Sequence, residues 1–409
     1  MTIELRELGE SDLQAWYRAV EWAFGGVLES EEERALWREL IQPERSIAVW
    51  DADRIVGSAS AFPLRINLPG GRPAPAAGVT MVHVAATHRR RGILRQLMRR
   101  ELDDCRERGE PLAVLTASEA GIYGRFGYGT AAHALQADIE TVHVTVAEPP
   151  GTDGLRLRVE EPAAVLDRCE ELYARLVPGR PGMVHRDTRW ARLMVLDPPG
   201  EREGASALRC VLAERDGELA GYARFALKPS WEETVPKGRV LVRHLDAADP
   251  AAYAALLRYL CGIDLMATVS LRNRPVDDPL LSLVSDPRRC RPRLVDRLHL
   301  RLVDVGAALA ARAYAAEVDV VLEVADEFCP WNAGRWRLCG GPKGAVCERT
   351  GDAPDLRVSV RALGAAHLGG TSLAALAAAG QVSEVRKGTL APAATAFGSP
   401  VAPWLPFGF

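Results

Sequence analysis

The segment VHVAATHRRRGILRQLMRR constrains the fold of this chain most, because a strand pattern leads through a basic turn directly into a helix pattern. The strand pattern ends at Val84, and an amphipathic helix begins at Gly92. Glycine lets the backbone approach a ligand closely, and the free N–H groups of a helix N-terminus bind anions. The side chains of Arg89, Arg90 and Arg91 add positive charge. The segment therefore predicts a strand–turn–helix unit that binds a phosphate, with a solvated basic helix start as the alternative.

The spacing around Gly92 separates this turn from two common nucleotide-binding motifs. It does not match GxxxxGK(S/T), the Walker P-loop, and it lacks the GxGxxG of a dinucleotide-binding fold. We therefore expect the phosphate to be held by a different kind of α/β turn.

The composition is typical of a folded globular protein, with 26% charged and 48% hydrophobic residues. The length of 409 residues predicts several domains, at roughly 100–200 residues each. The net charge of −3 indicates neither a nucleic acid nor a membrane surface as partner, and no apolar run reaches the roughly 18 residues of a transmembrane helix. The eight cysteines include no CxxC pair, which indicates no metal site and favours a reducing cytoplasm.

The order of the predicted elements divides the chain into three parts. Strand and helix patterns alternate up to about residue 145, and a linker rich in proline and glycine follows at 147–154. A hairpin pattern at 210–225, then a strand and a helix at 240–259, repeat the first part weakly. We interpret the repeat as an internal duplication, with chance similarity between two hairpins as the alternative. The third part includes a predicted helix at 363–379 and an aromatic tail that we expect to dock.

A second motif follows one strand later, with LTASE at 115–119 and IYGRFGY at 122–128. The first motif, Arg89-x-x-Gly92 after a strand, resembles the pyrophosphate loop of the GCN5-related N-acetyltransferases (GNAT enzymes). Leu94 departs from the small residue that this loop has at its last position. Together the two motifs resemble the Eis (enhanced intracellular survival) family, a branch of these acetyltransferases. The chain length, the repeated α/β part and the aromatic C-terminus extend the resemblance across the chain.

The resemblance implies an α/β fold class with mixed sheets, in which tandem GNAT domains precede a sterol-carrier-like α+β domain. The implied boundaries are 1–147 for the acetyl-CoA-binding domain, 148–296 for a degenerate GNAT-like domain and 297–409 for the sterol-carrier-like domain. We expect the last domain to act as a scaffold that carries the catalytic C-terminus to the first. Lipid binding by this domain is the alternative.

The resemblance also implies an acyltransferase that moves acetyl from the co-substrate acetyl-CoA to primary amines, without a metal. The amine would belong to an aminoglycoside, a polyamine or a lysine-type substrate, acetylated at one or several positions. The Tyr123 phenol would protonate the leaving sulfur, and the Phe409 carboxylate would hold the incoming ammonium. The family implies cofactor binding at Val82, Val84, Arg89, Arg90, Gly92, Ile93 and Ser118, and substrate binding at Phe24, Trp37 and Met81.

The sequence departs from the family pattern where broad amine acetylators carry acidic groups in a large cleft. Gly25 and Gly26 follow Phe24, and the penultimate residue is Gly408, so none of these positions supplies a carboxylate. Acidity would have to come from Glu29 or from the run at 31–33, for which a solvated helix face is the alternative. Whether these losses narrow the substrate range is left open by the sequence.

The second repeat lacks the residues that would hold a pyrophosphate. When the repeats are aligned, Pro250 stands at the position of Arg89 and Tyr253 at that of Gly92. Proline removes an N–H donor, tyrosine blocks close approach, and the nearby Asp249 repels phosphate. We therefore predict that the second domain binds no CoA.

Two classes of function remain open from the sequence. The first is an N-acetyltransferase for a small-molecule amine or a lysine side chain, without nucleic-acid or membrane partners. The second is a non-catalytic sensor that binds a ligand or lipid on a degenerate GNAT scaffold. The intact Arg89, Gly92 and Tyr123 favour the enzyme. The resemblance further implies a cytoplasmic homo-oligomer, a hexamer.

Overall fold

Residues 3–26 and 29–409 are described by the structure, a computed structural model, and they divide into two units. The first unit contains the described residues up to 132, together with 180–185 and 296–409. The second contains 133–179 and 186–295. Each unit has apolar cores of its own. In the part of the chain that the structure describes, no helix is both long and apolar enough to span a membrane.

The N-terminal part of the chain alternates strands with helices, as the sequence predicts. Its elements are β1 (Ile3–Glu7), α1 (Leu13–Ala23), α2 (Glu31–Leu40), β2 (Ser46–Asp51), β3 (Arg54–Asn67), β4 (Pro73–Val84), α3 (Ile93–Glu107), β5 (Leu112–Leu115) and β6 (Gly129–Glu140). The strands β1 to β4 pair antiparallel in sequence order. Strands β4 and β5 pair in parallel because α3 carries the chain back across the sheet.

Helix α3 packs on the sheet through the apolar face that its sequence predicts. Ile93 and Leu97 are buried against β2 and β3, and Met98, Leu102 and Cys105 are buried against β4 and β5. Gly57 on β3 makes this packing possible, since an added Cβ would lie 3.1 Å from the Ile93 side chain. The buried face therefore holds the N-terminus of α3 beside the end of β4.

The second unit repeats this pairing order. The elements from residue 156 to 302 are β7 (Arg156–Glu160), α4 (Leu166–Leu176), α5 (Thr188–Leu193), β8 (Arg209–Arg215), β9 (Glu218–Lys228), β10 (Trp231–Glu232), β11 (Val235–Pro236), β12 (Gly238–Ala247), α6 (Pro250–Cys261), β13 (Met266–Arg274), α7 (Leu280–Leu283) and β14 (Arg293–Leu302), of which β14 belongs from residue 296 onward to the first unit. The strands β7, β8, β9 and β12 pair antiparallel, and β12 and β13 pair in parallel around α6. This shared topology agrees with an internal duplication.

The C-terminal part of the chain builds a separate five-stranded sheet. Its elements are α8 (Val305–Ala311), β15 (Val318–Ala325), β16 (Gly334–Gly341), β17 (Gly344–Arg349), β18 (Leu356–Ser359), α9 (Val360–Ala366), α10 (Leu373–Ala378), β19 (Val382–Glu384) and α11 (Leu390–Phe397). The strand order is β17-β16-β15-β18-β19. The helix predicted at 363–379 is instead two helices, α9 and α10. They are separated at Gly369, which has a φ of +82° and lies against Ser399.

Strand β14 pairs with β5 in the first unit. Its residues from His299 to Leu302 pair antiparallel with β5. Arg301 on this stretch is fully buried, and its guanidinium lies 2.6 Å from the Asp326 carboxylate. Gly127 leaves the space for Arg301, since a Cβ there would overlap the guanidinium. The buried ion pair therefore supports the turn that carries Tyr123.

The aromatic tail docks on the first unit, as its composition predicts. Trp404, Leu405 and Phe407 are buried. The Trp404 N–H donates to the Pro181 carbonyl at 2.9 Å, and the Arg180 guanidinium donates to a tail carbonyl at 2.6 Å. These contacts place the last residue, Phe409, against β4.

Replacing Asp326 by alanine should lower the free energy of unfolding by about 3–5 kcal/mol, because the Arg301 cation would stay buried without its counter-ion. The control is Asp319→Ala, which removes an exposed partner of Arg337 and should cost at most about 1 kcal/mol. Denaturant unfolding followed by circular dichroism measures both values. Equal losses for the two variants would contradict a structural role for the buried pair.

Candidate active site

The parallel strands β4 and β5 diverge and leave a fork in the sheet. Their ladder covers only Ala76–Gly78 and Leu112–Val114, although β4 continues to Val84. A cavity of about 360 Å³ lies in this fork. It is lined by Val20, Phe24, Val79, Thr80, Met81, Val82, Thr116, Ala117, Ser118, Tyr123, Arg297 and Phe409. The cavity thus brings together six site residues that the sequence places far apart: Phe24, Met81, Val82, Ser118, Tyr123 and Phe409.

One wall of the cavity is a β-bulge in β4. The ladder between β3 and β4 shifts between Ser58 and Ser60, and the extra residue of β4 falls at Met81–Val82. Met81 has a φ of +51°, which a side-chain-bearing residue adopts only under constraint. A bulge leaves a backbone N–H outside the ladder, so this wall can donate a hydrogen bond into the cavity.

A buried histidine supports the bulge from behind. The Ser58 hydroxyl lies 2.7 Å from the Met81 carbonyl and 2.8 Å from Nδ1 of His83. Burial lowers the pKa of His83 to about 4, so the ring is neutral at physiological pH. A neutral His83 can donate from Nδ1 to Ser58, whose hydroxyl then donates to Met81. Sequence reasoning missed this pair, because serine and histidine in apolar strands carry no motif.

The predicted phosphate site keeps its donors free. Gly92 has a φ of +80°, and no side chain caps the N-terminus of α3 in the described chain. An added Cβ at Gly92 would meet nothing within 4 Å, so packing does not require a glycine here. The glycine instead permits the positive φ and leaves room for a ligand to approach the backbone. The side chains of Arg89, Arg90 and Arg91 are exposed and form no ion pair with a described residue. This turn can therefore offer backbone N–H groups and guanidinium groups to a pyrophosphate.

Two of the predicted cofactor residues offer only their backbones. The Ile93 side chain is buried in the core under α3, so only its N–H can face a phosphate. The Val84 side chain packs against the same core, at the place where β4 pairs with Gly57. These residues form the far end of the site, outside the lining of the cavity.

The structure distinguishes the two tyrosines of the glycine-rich turn. Tyr123 opens a 3₁₀ turn, Tyr123–Phe126, and lines the cavity. Tyr128 packs edge-on against Tyr123 at 6.0 Å between ring centroids, and its hydroxyl is buried without a hydrogen-bond partner among the described residues. Burial, and then the charge of Glu119, raise the pKa of Tyr123 to about 12. Tyr123 therefore stays protonated at physiological pH and can donate into the cavity.

The last residue of the chain lies at the base of the fork. The Thr116 hydroxyl is 3.5 Å from the main-chain oxygen of Phe409. An added Cβ at Gly78 would lie 3.1 Å from the Phe409 ring, so this glycine allows the ring to reach the sheet. The ring also packs edge-on against Phe62 at 6.5 Å between centroids. The chain end therefore borders the same cavity as Tyr123.

The two predicted aromatic walls have different positions. Phe24 lines the cavity and is 57% exposed. Trp37 does not line it, but stacks on Phe62 at 5.9 Å between centroids and donates from Nε1 to Glu33 at 3.3 Å. Trp37 thus lies one aromatic ring away from Phe409.

The equivalent turn of the second unit is already occupied by a side chain. The Asp249 carboxylate accepts the Ala252 N–H at 2.9 Å and caps α6. Pro250 supplies no N–H, and the Tyr253 hydroxyl donates to Asp278. Asp249 therefore occupies a backbone N–H at the start of α6, and Pro250 lacks one, whereas the start of α3 is uncapped.

No group of histidine, cysteine, aspartate and glutamate residues that could hold a metal ion occurs within the described residues. All eight cysteines are free thiols, and Cys339 is exposed.

Three segments of the chain match family models. Residues 4–131 and residues 182–302 each match a model described as an acetyltransferase (GNAT) domain. Residues 305–406 match a sterol carrier protein domain. The predicted order of two GNAT domains and a sterol-carrier-like domain is confirmed, whereas the exact boundaries stay a prediction.

Relatives of the whole chain are acetyltransferases. An uncharacterized N-acetyltransferase of Streptomyces avermitilis is 60% identical over 409 residues and covers all of both chains. The N-acetyltransferase Eis of Mycobacterium tuberculosis is 34% identical over 403 residues, which is 93% of each chain. The crystal structure of Eis1 from Mycobacterium abscessus superposes with a TM-score of 0.83 at 32% identity, over the full length of both chains. The chain therefore belongs to the Eis family of GNAT enzymes, and it is an acyltransferase.

Proposed function

We propose that this protein is an acetyl-CoA-dependent N-acetyltransferase that acetylates a small primary amine in the fork between β4 and β5. One observation carries the proposal: a single cavity joins the bulge at Met81–Val82, the Tyr123 phenol and the end of the chain at Phe409. The acceptor classes to be compared are aminoglycosides, polyamines and lysine-type amines.

The residues around Gly92 suit the pyrophosphate of acetyl-CoA. The N–H groups of Gly92 and Ile93 begin α3, and the Arg89 and Arg90 side chains are available for charge-assisted contacts. The open edge of β4 up to Val84 can pair with the amide groups of the pantetheine arm, with Ser118 on the opposite wall. Acetyl-CoA supplies the reactive thioester at the inner end of this path.

The residues of the cavity have complementary roles in acyl transfer. In the reaction, a bond forms between the amine nitrogen and the acetyl carbon, the carbon–sulfur bond breaks, and a proton moves from the amine while another reaches the sulfur. The N–H near Val82 stabilises the oxyanion, and Tyr123 donates a hydrogen bond to the leaving sulfur. Burial raises the pKa of Tyr123 to about 12, which keeps the phenol protonated but makes it a weaker acid. The same burial would raise the pKa of the leaving thiol, so the sulfur can still take a hydrogen bond or the proton from Tyr123.

The amine side of the cavity is bordered by Phe24, Met81 and Phe409. The α-carboxylate of Phe409 would hold the ammonium and lead its proton to water. Trp37 supports this wall through Phe62. The sterol-carrier-like domain acts here as the scaffold of the chain end.

Because Asp249 already caps α6, we propose that the second unit binds no CoA and that each chain binds one CoA molecule. Action in the cytoplasm, and assembly as a homo-oligomer with six copies, remain predictions of the family resemblance.

The function is tested by release of the CoA thiol from acetyl-CoA with a panel of amines, in the wild type and in two glycine variants of α3. Gly92→Glu should raise the KM for acetyl-CoA by at least about tenfold, because the new carboxylate repels the pyrophosphate. The control is Gly109→Glu at the other end of α3. Gly109 also has a positive φ, +71°, and open space around its Cβ, so the backbone strain is matched.

An unchanged KM in Gly92→Glu would place the pyrophosphate elsewhere. CoA binding by the wild type without thiol release with any amine would favour the sensor.

Replacing Tyr123 by phenylalanine should lower kcat by about 10²–10⁴-fold and leave the KM for acetyl-CoA nearly unchanged, because the hydroxyl acts when the sulfur leaves. Tyr128→Phe is the control, since it removes a buried hydroxyl without a described partner and should preserve both kcat and stability. Since the pKa of Tyr123 is about 12, the wild-type rate should show no fall caused by Tyr123 between pH 6 and about pH 10. A wild-type kcat in Tyr123→Phe would show that the Tyr123 hydroxyl takes no part in the reaction and that the ring only packs.

Appending residues after Phe409 should lower kcat by about 10²–10⁴-fold, because the α-carboxylate becomes an amide. CoA binding and thermal stability should persist, since Trp404 and Phe407 remain to anchor the tail. Phe409→Leu is the comparison that keeps the carboxylate and removes the ring, and it should retain most of the activity. If the extended protein keeps the full kcat/KM, the α-carboxylate is not the proton acceptor, and Glu29, Glu119 and water become the candidates.

A further inference from the structure

The cavity contains one charged side chain, and that side chain is a cation. Arg297 is the only arginine, lysine, aspartate or glutamate among the described residues that line it. A cavity built for several ammonium groups needs the opposite charge on its walls. No sequence motif marks Arg297, because this residue lies far along the chain from both acetyltransferase motifs.

The sheet register places Arg297 at the fork. His299 pairs with Leu115 in the antiparallel ladder between β14 and β5, so Arg297, two residues earlier, lies beside the chain that continues after Leu115. Its guanidinium reaches the end of the chain, since an added Cβ at Gly408 would lie 3.6 Å from Arg297 Nη2. Arg297 thus borders the amine side of the cavity, next to Phe409.

No aspartate or glutamate side chain forms an ion pair with the Arg297 guanidinium in the described chain. Its Nε is buried and has no hydrogen-bond partner there. Burial lowers the pKa of Arg297 below its usual value, and no carboxylate offsets this effect. A partly desolvated guanidinium without a partner is costly, and a ligand anion would restore the lost interactions.

The candidate acidic residues Glu29 and Glu33 interact with groups outside the cavity lining. The Glu33 carboxylate accepts a hydrogen bond from Trp37. The Glu29 carboxylate acts on Tyr17, whose pKa is raised first by burial and then by the charge of Glu29. Neither glutamate lines the cavity. Gly26 and Gly408 carry no side chain that could neutralise Arg297.

We propose that the acceptor is a small primary amine that also carries a carboxylate, and that Arg297 binds this carboxylate while the amine faces the thioester. The inference rests on the proposed acetyltransferase function and narrows its substrate class. The planar guanidinium can form two parallel hydrogen bonds with a carboxylate, which orients the acceptor as well as attracting it. Polyamines and aminoglycosides would be repelled by the same group.

The size of the cavity agrees with this substrate class. A volume of about 360 Å³ is near the lower end of the roughly 300–1,000 Å³ of small-molecule sites. An amino acid or ω-amino acid fits such a space beside the end of the pantetheine arm.

The first test compares acceptors that differ only in the carboxylate. Lysine is paired with cadaverine, and 4-aminobutanoate with 4-aminobutanamide, while spermidine serves as the polycation. We expect kcat/KM of the wild type to be higher for the carboxylate-bearing member of at least one pair by about 10–100-fold. Equal values, or a preference for cadaverine or spermidine, would overturn the inference.

The second test removes the charge from the protein. Arg297→Gln should abolish the preference, mainly through the KM of the carboxylate-bearing acceptor, and Arg297→Lys should restore part of it. Gly408→Glu leaves Arg297 in place but supplies a counter-ion beside it, and should shift the preference toward cadaverine. Melting temperature and CoA binding show that each variant is folded.

Calorimetric binding of lysine and cadaverine to the enzyme–CoA complex gives a readout that needs no turnover. No thiol release with any amine would defeat the proposed function. Tighter binding of cadaverine than of lysine, or a lysine affinity that Arg297→Gln leaves unchanged, would defeat the role of Arg297 separately.

Discussion

The divergence of β4 from β5 is the constraint on which the rest of the site depends. Two parallel strands that stop pairing at Gly78 and Val114 leave backbone groups exposed at the centre of a sheet, where they can serve a ligand. The bulge at Met81–Val82 lies on β4 beyond the last residue that pairs with β5, and the Ser58–His83 pair is hydrogen-bonded to the bulge. The cavity, the Tyr123 turn and the chain end are all arranged around this opening.

The two GNAT domains share a scaffold but differ at the start of one helix. Both have a parallel strand pair joined by a helix, yet the N-terminus of α3 is uncapped and the N-terminus of α6 is capped by Asp249. The carboxylate of the capping residue satisfies the same N–H groups that would bind a phosphate. The two helices therefore differ in whether a side chain already occupies their first N–H groups.

Positive charge acts at two separate points of the first unit. Arg89 and Arg90 are exposed at the N-terminus of α3, whereas Arg297 is partly buried in the cavity that Phe409 also lines. Exposed arginines contribute mainly to attraction and contact strength, while a desolvated one discriminates between ligands, because its unmet hydrogen bonds penalise the wrong partner. In the substrate class that we propose, the charge of the cavity wall would select the amine within a fold that the family shares.

The sequence by itself determined the local features, namely the strand–turn–helix around Gly92, the glycine-rich turn of Tyr123 and the anchoring aromatics of the tail. These could be predicted because a helix start, a turn and an apolar periodicity depend on neighbouring residues. Only the tertiary structure decided the bulge at Met81–Val82, the roles of His83 and Tyr128, and the position of Arg297. Each of these follows from strand register and burial, which join residues distant in sequence and leave no local pattern.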